Sequence, residues 1–103
     1  MNQSNNTEPN TLEEIDRIIH EPARLNIMLY LYVVESADFT FLVYKTGLTR
    51  GNLSVHLQKL EQNALIEITK EFINRRPKTL VKLTPLGRNA FETYRKTMLE
   101  LLA

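Results

Sequence analysis

The sequence contains no cysteine and only three glycines among its 103 residues. Without cysteine the chain has no disulfide framework, no thiolate metal site and no cysteine nucleophile, which is compatible with a cytoplasmic protein. No segment reaches the 18 or so consecutive apolar residues that a membrane-spanning helix needs. Residues 1–10 lack the basic and apolar regions of a secretory signal. The three glycines form no glycine-rich phosphate loop.

A chain of this length is the size of one domain. It buries only about two-thirds of the surface that its unfolded form exposes, which leaves little room for a deep substrate cavity. Its two histidines, His20 and His56, have no convincing nucleophile or carboxylate dyad around them in the sequence. We therefore expect no enzymatic activity, no cofactor and no metal site.

The net charge of +1 conceals an uneven distribution of charged side chains. Residues 1–21 carry five acidic side chains against one basic side chain, whereas the remaining 82 residues carry twelve basic and seven acidic ones. A local basic patch indicates nucleic-acid binding better than the total charge does. Such a patch also occurs as an ordinary solvated surface, so the charge alone leaves both interpretations open. Within 70–82 the basic residues, opposed only by Glu71, are Lys70, Arg75, Arg76, Lys78 and Lys82.

The N-terminal half of the chain has the patterns of helices. The polar segment 1–10 cannot bury enough apolar surface to order itself, which predicts a flexible tail. Thr11 and Glu14 have capping-box spacing before a predicted helix over 12–20. Pro22 suits the first turn of a second helix, 22–37, whose apolar residues cover most of its circumference.

The next segments predict a short extended stretch, two helices and a hairpin. Residues 38–40 are expected to be extended, and a short helix over 41–46 is expected to end at Gly47. Thr49 then caps an amphipathic helix over 50–62, with the single apolar stripe Leu53, Leu57 and Leu60.

Alternating residues from Leu65 to Ile73 predict a strand. The basic turn 74–78 leads to a second strand over 79–84, which completes an antiparallel hairpin. Thr84 and Pro85 then begin a last helix over about 85–102.

A short helix joined through a glycine-containing turn to an amphipathic helix is the helix-turn-helix pattern, and the hairpin that follows is a wing. Residues 48–65, with the spacing of Ser54, His56, Leu57 and Leu60, resemble the recognition-helix segment of MarR- and ArsR-type winged-helix regulators. Residues 83–88, Leu-Thr-Pro-Leu-Gly-Arg, resemble the segment that ends the wing in these regulators. The resemblance covers about 20–103. It implies a mainly α fold with a small β-hairpin (α+β), in the order α-α-(short β)-α-α-β-β-α.

The sequence departs from this family at one position. The resembled regulators usually have glycine after the recognition helix, where this chain has Ala64. Glycine adopts the left-handed conformation there at little cost. Because asparagine also tolerates this conformation, we expect Asn63 to adopt it one residue earlier.

The amphipathic helix and the wing supply the candidate DNA contacts. B-DNA's major groove admits one α-helix, whose N-terminal side chains read base edges by hydrogen bonds. Arg50 suits guanine, Asn52 suits adenine, and Gly51 allows close approach of the backbone. Arginines of the wing suit a narrow minor groove. The expected DNA-binding residues are Thr49, Arg50, Gly51, Asn52, Ser54, Val55, His56, Lys59, Arg75, Arg76 and Lys78.

The expected domain covers 11–103 and exposes more apolar helix surface than one small core needs. In the resembled regulators terminal helices pair two subunits, which implies a homodimer on a roughly palindromic site of double-stranded DNA. We expect a transcriptional regulator that represses. Core or dimer contacts are the expected role of Tyr30, Tyr32 and Tyr94, although a small-molecule effector remains open. The alternative function is a winged-helix module that binds protein partners in a larger assembly.

Overall fold

The computed structural model describes residues 16–103. The predicted flexible tail and the start of the predicted helix over 12–20 lie outside these residues. No helix within the described range is long and apolar enough to cross a membrane. The elements are α1 (Pro22–Val34), β1 (Ser36–Asp38), α2 (Phe39–Thr46), α3 (Arg50–Gln62), β2 (Ile66–Ile73), β3 (Arg76–Leu83) and α4 (Pro85–Leu102). The expected winged helix-turn-helix fold class is confirmed.

Each helix begins at a side chain that accepts a hydrogen bond from a backbone N–H in the first turn. Glu21 caps α1, Asp38 caps α2, Thr49 caps α3 and Thr84 caps α4. These bonds satisfy donors that have no partner within the helix. Proline stands in the first turn of α1 and of α4, where its missing N–H costs nothing.

The three strands form one antiparallel sheet in the order β1-β3-β2. β1 pairs with β3 from Ser36 opposite Lys82 to Asp38 opposite Leu80. β2 pairs with β3 from Ile66 opposite Leu83 to Ile73 opposite Arg76. The outer half of β3 therefore has a free edge on the side away from β2. This outer half, together with the paired half of β2, is called the wing below.

The core lies between the helices and the inner half of the sheet. α1 contributes Ile27, Met28 and Leu31, which are fully buried. The predicted stripe of α3 is buried as expected, with Leu53 and Leu60 at 0 % exposure. Around these, the remaining buried apolar side chains are Ile19, Ala37, Leu42, Leu57, Leu65, Ile66, Val81, Leu83, Phe91 and Tyr94.

The N-terminal elements depart from the sequence predictions in three places. Asp16–His20, the described part of the helix predicted over 12–20, forms a turn closed by a bond from His20 N to Asp16 O. The helix predicted over 22–37 ends at Val34, because Glu35 takes a positive φ of 67°. Phe39 and Thr40, expected to be extended, open α2 because the Asp38 carboxylate accepts from Phe41 N.

The wing turn is shorter than predicted. Only Asn74 and Arg75 form the turn, so the expected turn residues 76–78 belong to β3. Both turn residues have positive φ, 52° and 65°, as a two-residue type I′ hairpin turn requires. The prediction failed because arginine is an unusual residue for the second position of this turn.

The end of α3 is a Schellman motif built on alanine. Leu65 N donates to Leu60 O, and Ala64 N donates to Glu61 O. Ala64 itself has the positive φ of 61°, whereas Asn63 has a φ of −96°. The expectation that Asn63 takes the left-handed conformation is therefore wrong. Asn63 instead donates from its side chain to Lys59 O.

Candidate nucleic-acid interface

The helix-turn-helix is formed by α2, a three-residue turn and α3. Gly47 ends α2 in a left-handed conformation with a φ of 73°. Thr49 then caps α3, and its hydroxyl accepts from Asn52 N at 3.1 Å. Since Leu53, Leu57 and Leu60 are buried, the opposite side of α3 is fixed facing outward.

The outward face of α3 carries small and polar side chains at its N-terminal end. Arg50, Asn52, Ser54 and Val55 are all exposed. A Cβ atom built on Gly51 meets no other atom within 4 Å, so the backbone here is open to an approaching molecule. A helix that enters the major groove needs such an exposed and accessible N-terminal face.

Arg50 is held by an aromatic ring from the neighbouring helix. Its guanidinium carbon lies 4.8 Å from the centre of the Phe39 ring, within cation–π range. Arg50 makes no ion pair with any residue in the range 16–103. A cation in the first turn of a helix is unfavourable for the helix dipole, so the charge of Arg50 does not stabilise α3 through that dipole.

His56 lies on the flank of α3 and is engaged within the protein. Its Nδ1 atom is 3.2 Å from Arg24 Nη1 and 3.8 Å from Glu21 Oε1. Because a guanidinium can only donate, Nδ1 of His56 is the acceptor in any hydrogen bond with Arg24. Arg24 also donates from Nε to Ile18 O at 2.6 Å. Lys59, by contrast, is exposed near the end of α3.

The wing tip carries two adjacent arginines. Arg75 occupies the turn at a φ of 65°, and Arg76 begins β3. A left-handed conformation costs a residue with a side chain about 1–2 kcal/mol, which glycine avoids. Backbone strain of this kind is common where a side chain has a role outside folding.

A groove of about 670 Å³ separates α3 from the wing. Arg50, Ser54 and Val55 line it from the helix, and Lys70, Arg76 and Lys78 line it from the wing. Asp38 and Glu61 add two acidic side chains, and Lys78 Nζ lies 3.8 Å from Asp38 Oδ2. The remaining cations face the groove without ion-pair partners in the described structure.

Several of these residues were not identified from the sequence. Lys70 belongs to the basic patch of 70–82 but not to the predicted DNA-binding residues, although its alternation with Ile66 and Ile68 marks one strand face. Phe39 and Arg24 support Arg50 and His56 through contacts between distant segments. No local pattern reveals such contacts.

A second, apolar groove of about 480 Å³ lies between α1 and α4. At its wall the Tyr32 ring packs on Phe91 with centroids 5.0 Å apart, and its hydroxyl donates to Glu92 at 2.8 Å. This hydrogen bond raises the pKa of Tyr32, and burial raises the pKa of Tyr94, so both phenols stay neutral near pH 7. The lining residues are Leu29, Tyr32, Val33, Phe91, Tyr94, Arg95, Met98, Leu99 and Leu102.

A helix-turn-helix followed by a β-hairpin wing, with a cationic groove between them, defines a winged-helix protein of the DNA-binding class. The chain belongs to the winged helix DNA-binding domain family, and the match to this family covers residues 23–102. Its family is one of DNA-binding domains, which places the chain among DNA-binding proteins of the transcriptional-regulator type.

The chain is similar to the uncharacterized protein MJ0432 of Methanocaldococcus jannaschii. The two are 40% identical over 85 residues, which are 82% of this chain and 92% of MJ0432. It is also similar to a solved transcriptional regulator homologue from Pyrococcus horikoshii, with 31% identity and a TM-score of 0.80. That match covers 84% of this chain and 86% of the Pyrococcus chain.

MarR-family regulators are among the structural neighbours, in agreement with the resemblance found in the sequence. One is the transcriptional repressor CouR, whose structure was solved bound to a 23-mer DNA duplex. It has 24% identity and a TM-score of 0.72, and the match covers 80% of this chain and 57% of CouR. At this identity the similarity establishes a shared fold.

Proposed function

We propose that this protein is a homodimeric transcriptional repressor that binds a specific sequence of double-stranded DNA. α3 enters the major groove, and the wing lies over the adjacent minor groove and backbone. The observation that carries this proposal is the cationic groove of about 670 Å³ between α3 and the wing. One wall of this groove carries exposed side chains of α3 that suit base edges, and the other carries cations of the wing that suit phosphates.

In this proposal the first turn of α3 reads bases. The Arg50 guanidinium suits the two acceptors of guanine, and the Asn52 amide suits the donor and acceptor of adenine. Val55, which is 64% exposed, suits the methyl group of thymine. Thr49, Gly51 and Ser54 lie beside these residues, where backbone N–H groups and hydroxyls suit phosphate oxygens.

The flank of α3 and the wing supply contacts to the DNA backbone. Lys59 suits phosphate on one side, and Arg76, Lys78 and Lys70 suit phosphate across the groove. Arg75 projects from the turn and suits a narrow minor groove. His56 acts mainly inside the protein, where its bond to Arg24 ties α3 to α1.

The apolar groove between α1 and α4 supports the proposed homodimer. It exposes large aliphatic side chains to solvent in a single copy. A second copy related by a two-fold axis covers this surface with the same surface. Such a dimer presents two copies of α3 about 34 Å apart, one turn of DNA. The exposed aliphatic residues are Leu29, Val33, Leu99 and Leu102.

The proposal is tested by selecting binding sites from a random duplex library and measuring variants on the selected site. A roughly palindromic site with half-sites one helical turn apart is the expected result. Arg50→Ala and Asn52→Ala should each cost about 1–3 kcal/mol and relax the preference at one base pair per half-site. The proposal is contradicted if no sequence is enriched from the library and α3 or the wing instead binds a stable protein partner.

A further inference from the structure

The wing tip exposes an aromatic side chain that neither the fold nor the cationic groove explains. Phe72, near the end of β2, is 74% exposed. Leu29, Val33, Leu99 and Leu102, which are also exposed, line the apolar groove between α1 and α4, where a second copy of the chain covers them in the proposed dimer. Phe72 does not line that apolar groove. Its ring is therefore available to a partner other than a second copy of the chain.

The strand register sets the direction that Phe72 faces. Side chains alternate along a strand, so Phe72 shares a face with Lys70 and Ile68. Ile68 and Lys70 line the groove toward α3. Phe72 therefore extends the α3-facing side of the wing beyond the groove.

Pro77 stands directly opposite Phe72 on β3. The pair next to a two-residue turn is Ile73 with Arg76, and hydrogen-bonded and non-bonded pairs alternate along an antiparallel ladder. Phe72 and Pro77 then form a non-bonded pair, in which side chains come closest. The missing N–H of Pro77 faces the free edge of β3, where proline is tolerated.

Two cations flank this apolar pair. Lys70 precedes it on the same face, and Arg75 follows in the turn, whereas Arg76 stands opposite Ile73 and lies on the other face of the hairpin. The two acidic residues of β2, Glu67 and Glu71, lie on the opposite face, across from Lys82 and Lys78. An apolar ring beside positive charges suits a partner surface that combines phosphates with apolar atoms. The sugars and phosphates that line a duplex minor groove form such a surface.

We propose that Phe72 and Pro77 form an apolar contact with the sugar walls of the DNA minor groove, beside the phosphate contacts of Lys70 and Arg75. This inference rests on the proposed DNA-binding function. The contact adds affinity through buried apolar surface and releases no counterions. Its loss therefore weakens binding without changing the dependence of binding on salt.

The test is fluorescence anisotropy on the selected duplex at several salt concentrations, with wild type, Phe72→Ala and Phe72→Tyr. Phe72→Ala should weaken binding about fivefold to tenfold, with the slope of log K against log salt unchanged. Phe72→Tyr should restore most of the affinity. Ile73→Ala, on the opposite face of the same hairpin, is the matched control and should bind like wild type.

The outcomes separate this inference from the proposed function. Wild-type binding that Phe72→Ala leaves unchanged overturns the contact and leaves the DNA-binding function intact. A lower salt slope for Phe72→Ala overturns it too, because it shows disturbed phosphate contacts. Dissociation of a dimer by Phe72→Ala in analytical ultracentrifugation assigns the ring to a second copy and also overturns it. Failure of the wild type itself to bind any duplex removes the proposed function.

Discussion

Two glycines of this chain have opposite surroundings. A Cβ atom added at Gly87 lies 1.9 Å from the carbonyl oxygen of Leu65, whereas one added at Gly51 meets nothing within 4 Å. Gly87 thus allows the start of α4 to pack against the segment after α3. Gly87→Ala should lower the free energy of unfolding by about 2–3 kcal/mol, measured by urea denaturation.

Gly51→Ala is the matched substitution, and it should separate stability from DNA binding. Alanine has the higher helix propensity, so the free energy of unfolding should rise by about 0.5–1 kcal/mol. The added methyl group stands on the proposed DNA-facing side of α3, so affinity for the selected duplex should fall. A variant that gains stability and keeps full affinity contradicts the close approach of this backbone to DNA.

Phe39 and Arg50 form a coupled pair that a double-mutant cycle can measure. Their cation–π geometry predicts that Phe39 positions Arg50 for its base. Phe39→Leu should relax the sequence preference at the same base pair as Arg50→Ala does. The double variant should lose less binding free energy than the sum of the two single losses. Additive losses, or a loss equal for all duplex sequences, contradict a positioning role.

The turn of the wing combines strain with charge. Arg75 has a φ of 65°, a conformation that glycine adopts without penalty. Arg75→Gly should raise the free energy of unfolding by up to about 1 kcal/mol. Duplex binding should weaken, and the slope of log K against log salt should decrease in magnitude by about one. An unchanged slope means that Arg75 contacts no phosphate.

The elements whose ends carry local signals were predictable from the sequence. α3 has the predicted bounds because Thr49 caps its start and a single leucine stripe defines its length. α4 follows equally from Thr84 and Pro85. The predicted wing turn over 74–78 is too long, because Arg75 has little turn propensity and its conformation is fixed by the pairing of two eight-residue strands.

The candidate site was predictable only in part. The outward side chains of α3 follow from helical periodicity, since Leu53 and Leu57 must face the core. The inward engagement of His56 depends on Glu21 and Arg24, more than thirty residues away in the chain. Contacts of this kind arise from tertiary packing, so neither spacing nor propensity contains them.

At the scale of the whole molecule, the proposed dimer determines how DNA is read. Leu86 and Leu99 are both on α4 and both 56% exposed, but only Leu99 lines the apolar groove. Leu99→Glu should therefore yield monomers in analytical ultracentrifugation and weaken binding to the palindromic duplex. Leu86→Glu should leave both properties unchanged. Equal effects of the two substitutions contradict the assignment of the dimer surface.

The central claim is that this chain binds duplex DNA through the cations of α3 and the wing. The most direct measurement is the anisotropy of a labelled mixed-sequence duplex against protein concentration at several salt concentrations. Nonspecific binding is expected, with a Kd on the order of 10⁻⁴–10⁻⁶ M at physiological salt that decreases steeply as salt falls. Absence of binding at low salt, or binding that does not depend on salt, would contradict it.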